Sequence, residues 1–491
     1  MNARTLFFLL ALLWLAGCNL PVAPPNPGLP APSESNITLI TANGTPTKTP
    51  FQPSVPTATI RPPLPPTRTS PPPLATAIPS FGQWPPPNSL VSGYPPVIAV
   101  PPPYPVVSDE NTVNFLLIGS DRRTTSFRTD TLVIISIRPR DHLVTMISIP
   151  RDLFIYIPGW TMNRINTAYQ EGELIKYPGG GAALLKDTIL YNLGIKIDHT
   201  AMVEFNGFAQ IVNTLGGIDL PLACPFTDWH IINPGRSDQD PNNWKLYTVG
   251  PGVIHMDGDL ALWYARSRMR SSDFDRGRRQ QEVLRAIYTH SMKIGVIPQI
   301  PKLYNDLRET VVTDLSLDTI LQLVPLATDL GSARIRSFYI NTHYVSSWWT
   351  PAGASVQLPK HSELQAMLKE AMAPPDPNEI ANLGATIEIW NGTTHPDWDV
   401  LAAERLHYAG FITSLAPADQ CNGVGCANTT QTLLYDFTAD QDPAQSSAIL
   451  LALGLPASSL VNRPDPKGAQ DYRLIIGADY NPCFNPANLS H

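Results

Sequence analysis

The sequence predicts an α/β fold with helices on both faces of a sheet, followed by a smaller α/β domain. Three observations predict it. Short apolar runs rich in branched residues begin at Val113 and are typical of buried strands. Segments of helical period are interleaved with these runs, as expected when helices cover a sheet. From Asn19 to about Asp109, by contrast, apolar residues are too sparse to bury a core.

Composition divides the 491 residues in the same way. Hydrophobic residues make up 43% and charged residues 15% of the chain, and 27 of its 52 prolines lie between Pro21 and Pro105. Runs such as 61–66 and 101–103 favour polyproline II, so we interpret this region as a stiff spacer, with recognition of its proline motifs as the alternative. The net charge of −7 argues against a surface that attracts nucleic acid, and we expect no nucleic-acid partner.

The N-terminus predicts export. A short cationic start is followed by twelve largely apolar residues, 5–16, too few for a bilayer core that needs about twenty. Leu15-Ala-Gly-Cys18 resembles the lipobox of bacterial lipoproteins, in which the signal is cut before an acylated cysteine. This resemblance implies a signal peptide over 1–17, a membrane anchor at Cys18, and an extracytoplasmic remainder. An apolar terminus folded into a core is the alternative.

Four further cysteines suit an oxidising compartment, and they allow three pairings. They are Cys224, Cys421, Cys426 and Cys483. A local disulfide between Cys421 and Cys426 is one interpretation, because a glycine-containing tetrapeptide separates them. A zinc site would need paired Cys or His ligands at short spacing, which the ten histidines do not supply.

The elements of the larger domain follow in order from apolar periodicity and its glycine and proline punctuation. The predicted strands are 113–118, 131–137, 143–149 and 334–340, and the predicted helices are 182–193, 206–215, 258–264, 277–293, 317–330 and 362–372. Gly181 and Gly194 bracket the first helix, and Gly216 ends the second. Pro325 is expected to kink or break the helix that contains it.

A second, smaller pattern begins after Pro374-Pro375. Strands are predicted at 385–390, 432–437 and 472–476, with helices at 399–409 and 443–453. About a hundred residues with their own apolar faces suffice for a small domain. We therefore divide the chain into a spacer at 18–110, a larger domain at 111–345, a connecting helix and linker at 346–383, a C-terminal domain at 384–480 and a tail at 481–491.

A cluster of arginines is the densest chemical signal. Residues 264–285 contain seven arginines and no lysine, namely Arg266, Arg268, Arg270, Arg276, Arg278, Arg279 and Arg285. Lysine would serve equally well on a solvated face, whereas guanidinium is favoured where a planar fork must grip phosphate at two points. Arg276 and Arg279 share a face if their segment is helical. A basic exterior helix and a DNA-binding patch are the alternatives, and predicted export argues against the second.

Two carboxylates lie where the first two strands meet their loops. Asp121 follows the first strand and Asp130 leads into the second, so the pair can converge on one divalent cation. Magnesium commonly uses one or two carboxylates together with substrate phosphates. Arg151, at the end of the third strand, adds a cation at the same edge. The pattern predicts a site for a metal-bridged polyphosphate, and salt bridges that merely hold loops are the alternative.

Six ordered motifs resemble those of the LytR-CpsA-Psr family, over roughly residues 111–295. They are Gly119-Ser-Asp-Arg-Arg123, Arg128-Thr-Asp-Thr131, Ser148-Ile-Pro-Arg-Asp152, Arg164-Ile-Asn-Thr-Ala-Tyr169, Gly258-Asp-Leu-Ala-Leu-Trp-Tyr-Ala-Arg-Ser-Arg268 and Asp273-Phe-Asp-Arg-Gly-Arg-Arg-Gln-Gln281. The resemblance implies a three-layer α-β-α sandwich with a mixed central sheet. It also implies an envelope phosphotransferase that moves a glycopolymer from a polyprenyl (undecaprenyl) pyrophosphate carrier onto a wall acceptor, usually peptidoglycan. Residues 384–480 look like the LytR-type domain often appended to these proteins.

The resemblance also implies roles for individual residues. Asp121 and Asp130 would coordinate magnesium or manganese. The pyrophosphate would be bound by Arg128, Arg151, Arg266, Arg268, Arg276, Arg279 and Gln280. The catalytic set would be Asp121, Arg128, Asp130, Arg151, Arg266 and Arg268. Since no motif marks a covalent nucleophile, we expect direct attack by a sugar hydroxyl on the phosphorus attached to the glycan.

Other interpretations remain open at this point. A hydrolase that only cleaves polyprenyl pyrophosphate and a non-catalytic glycan- or lipid-binding lipoprotein are the alternative functions. The helix at 182–193 could line a slot for the lipid, although ordinary core packing predicts the same pattern and is preferred. Residues 225–247 form either a loop that shapes acceptor choice or a surface insertion.

Overall fold

The computed structural model describes residues 96–483 apart from 109, 124–125, 234, 238, 309, 418–428 and 466–467, and it describes no side chains at 121–128. The predicted signal peptide, Cys18, most of the spacer, Cys421 and Cys426 lie outside the described residues. So do the side chains of Asp121 and Arg128.

The larger unit contains strands β1 to β14. They are β1 (Val113–Arg123), β2 (Ser126–Arg138), β3 (Leu143–Ile149), β4 (Phe154–Tyr156), β5 (Met162–Arg164), β6 (His199–Glu204), β7 (Ile218–Leu222), β8 (Phe226–Ile231), β9 (Trp244–Val249), β10 (Gly252–Met256), β11 (Val311–Thr313), β12 (Ile335–Tyr339), β13 (Val345–Trp349) and β14 (Ser355–Pro359).

Its helices are α1 to α9. They are α1 (Ala168–Leu174), α2 (Gly180–Leu193), α3 (Phe205–Thr214), α4 (Gly258–Arg266), α5 (Asp273–Lys293), α6 (Ile300–Asp306), α7 (Leu317–Leu321), α8 (Val324–Asp329) and α9 (His361–Met372). In the described part of the chain no helix has both the length and the apolarity needed to cross a bilayer.

A six-stranded sheet in the order β11-β6-β1-β2-β3-β12 forms the centre of this unit. It is mixed, because β1 runs antiparallel to β2 and parallel to β6. Successive side chains alternate between its two faces, so Phe115 packs with α3, α4 and α5 while Leu116 packs with α2 and α9. The α-β-α sandwich with a mixed sheet is therefore confirmed.

The predicted break at Pro325 is confirmed: the helix expected at 317–330 is two helices, because Pro325 occupies the first turn of α8 after α7 ends at Leu321. Two other details differ from the sequence prediction. Helix α5 begins at Asp273, four residues early, since Ser272 and Asp275 form a capping box. Residues 119–123 and 126–128, expected as loops, continue the β1–β2 pairing as far as Arg123 and Ser126.

The C-terminal unit has its own sheet and core. Its elements are α10 (Pro377–Gly384), β15 (Thr386–Asn391), α11 (Trp398–Tyr408), β16 (Ile412–Leu415), β17 (Leu433–Asp436), α12 (Pro443–Leu453), β18 (Leu460–Asn462) and β19 (Tyr472–Ile476). The strands form one sheet in the order β16-β15-β19-β17-β18. Helices α11 and α12 bury the apolar face that includes Ile387, Ile389 and Leu474.

A disulfide and a buried arginine are among the contacts that join the C-terminal unit to the larger one. Cys224, before β8, forms a disulfide with Cys483, one of the pairings that the sequence left open. The Arg285 side chain of α5 is buried, and its Nε donates to Glu404 Oε1 of α11 over 3.2 Å. The same guanidinium lies 4.1 Å from the centre of the Tyr408 ring. The C-terminal unit is thus attached to the helix that carries most of the predicted arginines.

Candidate active site

A bulge in the β1–β2 pair sets the position of Asp130. Gly119 pairs with Thr131 and Ser120 pairs with Thr129, so Asp130 is the extra residue on β2. Such a bulge re-aims a side chain at the edge of a sheet. Gly119 permits it, because a Cβ there would lie only 2.8 Å from Thr131 Cβ. The bulge brings the Asp130 carboxylate to the end of β3.

Arg151 binds that carboxylate. Its Nη1 donates to Asp130 Oδ1 over 2.6 Å, and its Nε lies 3.4 Å from Asp152 Oδ2 and 3.6 Å from Asp273 Oδ2. Burial alone lowers the pKa of Arg151, but the hydrogen bond to Asp130 and the neighbouring carboxylates raise it overall. Arg151 therefore remains a fixed cation between three carboxylates.

Asp273, the first residue of α5, holds two further arginines. Its Oδ1 accepts from Arg268 Nη1 and contacts Arg276 Nη1, each over 3.1 Å. Burial raises the pKa of the Asp273 carboxyl, yet the charges of Arg276, Arg151 and Arg268 outweigh it and leave that pKa below its ordinary value. Arg276, itself nearly buried, also donates from Nη2 to the Asp130 carbonyl over 3.4 Å.

These side chains form one group, which we call the Asp–Arg cluster. Its members are Asp130, Arg151, Asp152, Arg164, Arg268, Asp273 and Arg276. The structure thus brings together four of the sequence-predicted site residues, Asp130, Arg151, Arg268 and Arg276. Asp152, Arg164 and Asp273 were quoted only within motifs, and each now has a partner in the cluster. Fixed guanidinium forks of this kind are suited to binding phosphate oxygens.

Arg279 does not reach the cluster. Its side chain is 0% exposed, and it donates to the carbonyls of Tyr264 and Ser267 and, over 3.0 Å, to Ser271 Oγ. Its guanidinium also lies 4.3 Å from the centre of the Phe226 ring. Burial lowers the pKa of Arg279 to about 10. The physical reason is that the turn between α4 and α5 folds over this face of α5, so Arg279 supports the turn that carries Arg268.

An apolar cavity lies beside the cluster, between the sheet and helices α3, α4 and α5. Its volume is about 80 Å³. It is lined by Leu117, Ile118, Gly119, Thr131, Val133, Ala201, Val203, Phe205, Phe208, Leu262, Ala265, Arg266, Gln280, Val283 and Leu284. Gln280 Nε2 donates to Thr131 Oγ1 over 2.8 Å, and the Arg266 guanidinium lies 3.8 Å from the centre of the Phe205 ring. Two of the polar residues that line the cavity, Thr131 and Gln280, are thus hydrogen-bonded to each other, and Thr131 is next to Asp130 in the sequence.

The sequence offered the helix at 182–193 as a possible lining of a lipid slot, with core packing as the preferred interpretation. The α2 residues Leu184, Leu185, Ile189 and Leu193 are fully buried in the opposite core, so the preferred interpretation of core packing is confirmed. The observed cavity is lined from α3, α4, α5 and the sheet instead. Its apolar residues have the same pattern as core residues, and no sequence signal distinguishes them.

Residues 226–249 form a hairpin of β8 and β9 that is fixed to the arginine turn. The buried Asp228 side chain accepts from the backbone N–H groups of Trp229, over 2.7 Å, and Met269, over 3.1 Å. Trp263 Nε1 of α4 donates to the Trp229 carbonyl over 2.7 Å. The region that the sequence left as a loop or insertion therefore helps to hold the position of Arg268.

Replacing Asp228 with Ala is expected to lower the free energy of unfolding by about 1–3 kcal/mol, because two backbone N–H groups lose an acceptor that is itself buried. Chemical denaturation measures the change. Asp240→Ala is the matched control, since the Asp240 side chain accepts from the nearby Asn242 N–H of the same hairpin. Equal destabilisation by the two variants would contradict the assignment of Asp228 as the clamp.

The carboxylates near the cluster are compatible with a magnesium ion whose remaining ligands would be phosphate oxygens of the substrate. The described residues include no group of three or more His, Cys, Asp or Glu side chains that could hold a metal ion by themselves. Asp130 is one carboxylate at the cluster, and the backbone of Asp121 pairs with Arg128 on the neighbouring strand. One or two carboxylates completed by phosphate oxygens are the environment that magnesium accepts.

Comparison with known proteins identifies relatives of this chain. The LytR_cpsA_psr family matches residues 96–373. A polyisoprenyl-teichoic acid–peptidoglycan teichoic acid transferase, TagU of Halalkalibacterium halodurans, is 31% identical over 223 residues, which are 44% of this chain and 66% of that protein. A second polyisoprenyl-teichoic acid–peptidoglycan teichoic acid transferase, TagT of Bacillus subtilis, is 27% identical over 53% of this chain and 76% of its own length. The chain spans slightly under two thirds of the first two relatives, 66% and 65%.

Solved structures show a similar partial likeness. The crystal structure of B. subtilis TagV is 26% identical, covers 55% of this chain and 100% of that chain, and has a TM-score of 0.44. YwtF (TagT) with bound octaprenyl pyrophosphate lipid is 26% identical over 53% of this chain and 89% of that chain, with a TM-score of 0.39.

Proposed function

The chain belongs to the LytR-CpsA-Psr family, and we propose that it is an envelope phosphotransferase. It moves a glycopolymer from a polyprenyl pyrophosphate carrier onto a cell-wall glycan such as peptidoglycan. The printed names of its relatives, teichoic acid transferases that act on peptidoglycan, support this reaction class.

One observation carries the proposal, namely that the Asp–Arg cluster adjoins an apolar cavity. A polyprenyl pyrophosphate has a highly charged head and a long hydrocarbon tail, so it needs both environments side by side. Thr131 lines the cavity and follows Asp130 of the cluster in the sequence. Gln280 also lines the cavity and lies one helical turn after Arg276 of the cluster. An ordinary hydrolase of small phosphate esters would have no use for the cavity.

The proposed mechanism relies on positioning and charge neutralisation, which dominate phosphoryl transfer. Arg151, Arg268 and Arg266 donate to oxygens of the pyrophosphate. Arg276, which is buried next to Asp130, contributes positive charge to the site. A sugar hydroxyl of the acceptor attacks the phosphorus attached to the glycan. The bond from that phosphorus to the bridging oxygen breaks, polyprenyl monophosphate leaves with the electron pair, and the proton of the attacking hydroxyl passes to the departing phosphate. Magnesium, held by Asp130 and Asp121, would supply neutralisation of the developing phosphate charge.

The roles of Arg128 and Gln280 follow from the family motifs. Arg128 would bind the pyrophosphate beside Asp121, and Gln280 would contact the head group from the cavity. Arg279 is better understood as the support of the arginine turn, given its buried contacts with backbone carbonyls.

We place the protein outside the cytoplasmic membrane, anchored through a lipidated Cys18. The lipobox-like Leu15-Ala-Gly-Cys18 and the proline-rich spacer support this location. The reaction supports it too, because the proposed acceptor is part of the wall.

The direct test incubates the full chain with a polyprenyl-pyrophosphate-linked glycan and isolated peptidoglycan, with magnesium or with a chelator. We expect polyprenyl monophosphate and glycan-labelled peptidoglycan to form together, and chelation to slow both. Release of polyprenyl monophosphate without labelled peptidoglycan would identify a hydrolase instead. Binding of the carrier without either product would identify a non-catalytic lipoprotein.

A further inference from the structure

Asn166 lies beside the Asp–Arg cluster and has no role in the proposed mechanism. It belongs to the short turn Ile165–Thr167, between β5 and α1, and it is 3% exposed. Its backbone N–H donates to the Arg151 carbonyl over 3.3 Å, and its carbonyl accepts from Thr129 Oγ1 over 3.3 Å. Arg151 binds the Asp130 carboxylate, and Thr129 immediately precedes Asp130 in the sequence. The backbone of Asn166 is therefore fixed to both of these neighbours of Asp130.

The Asn166 side chain has a buried oxygen that forms no hydrogen bond. No described residue donates to its Oδ1. The same is true of the Oγ of Ser120, a residue that is 0% exposed. Ser120 immediately precedes Asp121 and pairs with Thr129 in the β1–β2 ladder. Both uncommitted oxygen atoms thus belong to residues that contact Thr129, next to Asp130.

The Asn166 oxygen requires a hydrogen-bond donor or a cation as its partner. Buried polar atoms nearly always have a partner in folded proteins, and an exception needs an explanation such as a water or an ion. A phosphate oxygen does not suit an amide oxygen, since both only accept. The two guanidinium groups that adjoin the turn already bind carboxylates, Arg151 with Asp130 and Arg164 with Asp152. A metal-bound water meets the requirement, because magnesium keeps several waters when a protein binds it.

We propose that Asn166 is a further residue of the magnesium site, where its Oδ1 accepts a hydrogen bond from a water on the metal. Ser120 Oγ is the second oxygen available to that hydration shell. The inference rests on the proposed function, which assigns magnesium to Asp130 and Asp121. Asn166 is a positioning residue, because it acts on the substrate through the metal. Residues of this kind change metal affinity by about ten- to a hundredfold when they are replaced.

The contacts of Asn166 separate this role from a purely structural one. Its bonds to Arg151 and Thr129 are made by the backbone, so they persist when the side chain changes. Its Oδ1 has no hydrogen bond to lose among the described residues. Asn166→Leu, which is similar in size and has no acceptor, should therefore melt at the wild-type temperature when all divalent metal is chelated.

The test titrates the full chain with Mn²⁺ and follows the free metal by electron paramagnetic resonance. We expect Asn166→Leu to weaken Mn²⁺ binding by about ten- to a hundredfold. Mn²⁺ should also raise the melting temperature of the wild type more than that of the variant, because a bound metal stabilises the folded state. Asn166→Asp keeps an acceptor oxygen at this position and adds negative charge. It should bind Mn²⁺ at least as tightly as the wild type.

Asn114→Leu is the matched control. Asn114 is 2% exposed near the start of β1, far along the strand from Ser120, and its Oδ1 likewise has no partner among the described residues. Its Nδ2 donates to Thr112 and to the Lys196 carbonyl, so this variant is expected to lose stability. It should nevertheless bind Mn²⁺ with the wild-type affinity, which shows that a less stable fold does not by itself weaken the metal site.

The outcomes distinguish the inference from the function on which it rests. Weak Mn²⁺ binding by Asn166→Leu, with the wild-type melting temperature in chelator, supports the inference. Wild-type Mn²⁺ affinity in that variant overturns it, and the Oδ1 atom would then serve a buried water only. If Asn166→Leu does not fold, weaker Mn²⁺ binding by a folded Asn166→Asp overturns it and equal or tighter binding supports it. A wild-type protein that binds no Mn²⁺ contradicts the magnesium of the proposed function, and the inference with it.

Discussion

Replacing Asp130 with Asn is expected to slow glycopolymer transfer by about a thousandfold, the loss typical of removing one preorganised electrostatic group from a reacting centre. The amide is nearly isosteric but uncharged. It therefore removes the proposed carboxylate ligand of magnesium and the negative charge that strengthens the hydrogen bond from Arg151 Nη1. Initial rates of polyprenyl monophosphate release, measured over a range of donor concentrations, give the change.

The fold should tolerate this variant. Arg151 retains ion pairs with Asp152 and Asp273, and Asp130 lies at a bulge between β1 and β2 and belongs to none of the apolar cores of the described residues. Asp318→Asn is the matched control, because Asp318 lies in the first turn of α7 and its side chain accepts from Gln322. We expect the control to transfer at the normal rate. An Asp130→Asn protein with normal thermal stability and normal transfer would rule out the proposed role of this carboxylate.

Much of the fold could be predicted, because the central strands are long branched apolar runs and the main helices have strong apolar periodicity. Strand β3 was predicted with its observed bounds, Leu143–Ile149. Strand β6 was missed, since its four central residues are flanked by His199 and Glu204 and form too short an apolar run. It nevertheless lies next to β1 and provides Ala201 and Val203 to the cavity.

The candidate site could be predicted only in part. Motif order pointed to Asp130, Arg151, Arg268 and Arg276, and the structure brings these four into one cluster. Periodicity placed Arg279 on the same face as Arg276 but gave no account of the turn that covers it. The β1–β2 bulge arises from pairing between strands, which no single segment encodes. The cavity also could not be predicted, because its walls come from helices and strands that are far apart in the sequence.

The cavity allows a second strong prediction, on the length of the lipid. Val203→Phe places a larger side chain in the cavity, where Val203 contributes to the wall on β6. The tail of a long polyprenyl pyrophosphate would then lose the burial of roughly three or four methylene groups, about 3 kcal/mol, which weakens binding about a hundredfold. A short prenyl pyrophosphate, whose affinity comes from the Asp–Arg cluster, should bind as well as before. Titration of both ligands against the full chain measures the difference.

Val312→Phe makes the same chemical change on the adjacent strand and is the control. Val312 of β11 is 60% exposed and lines a separate cavity, on the face that carries α2. It should leave the affinity for both ligands unchanged. If Val203→Phe weakened the long and the short ligand equally, the loss would come from the cluster or from the fold, and the cavity would not be the tail site. A loss confined to the long ligand would place the hydrocarbon between the sheet and helices α3, α4 and α5, because only a ligand that enters that space contacts residue 203.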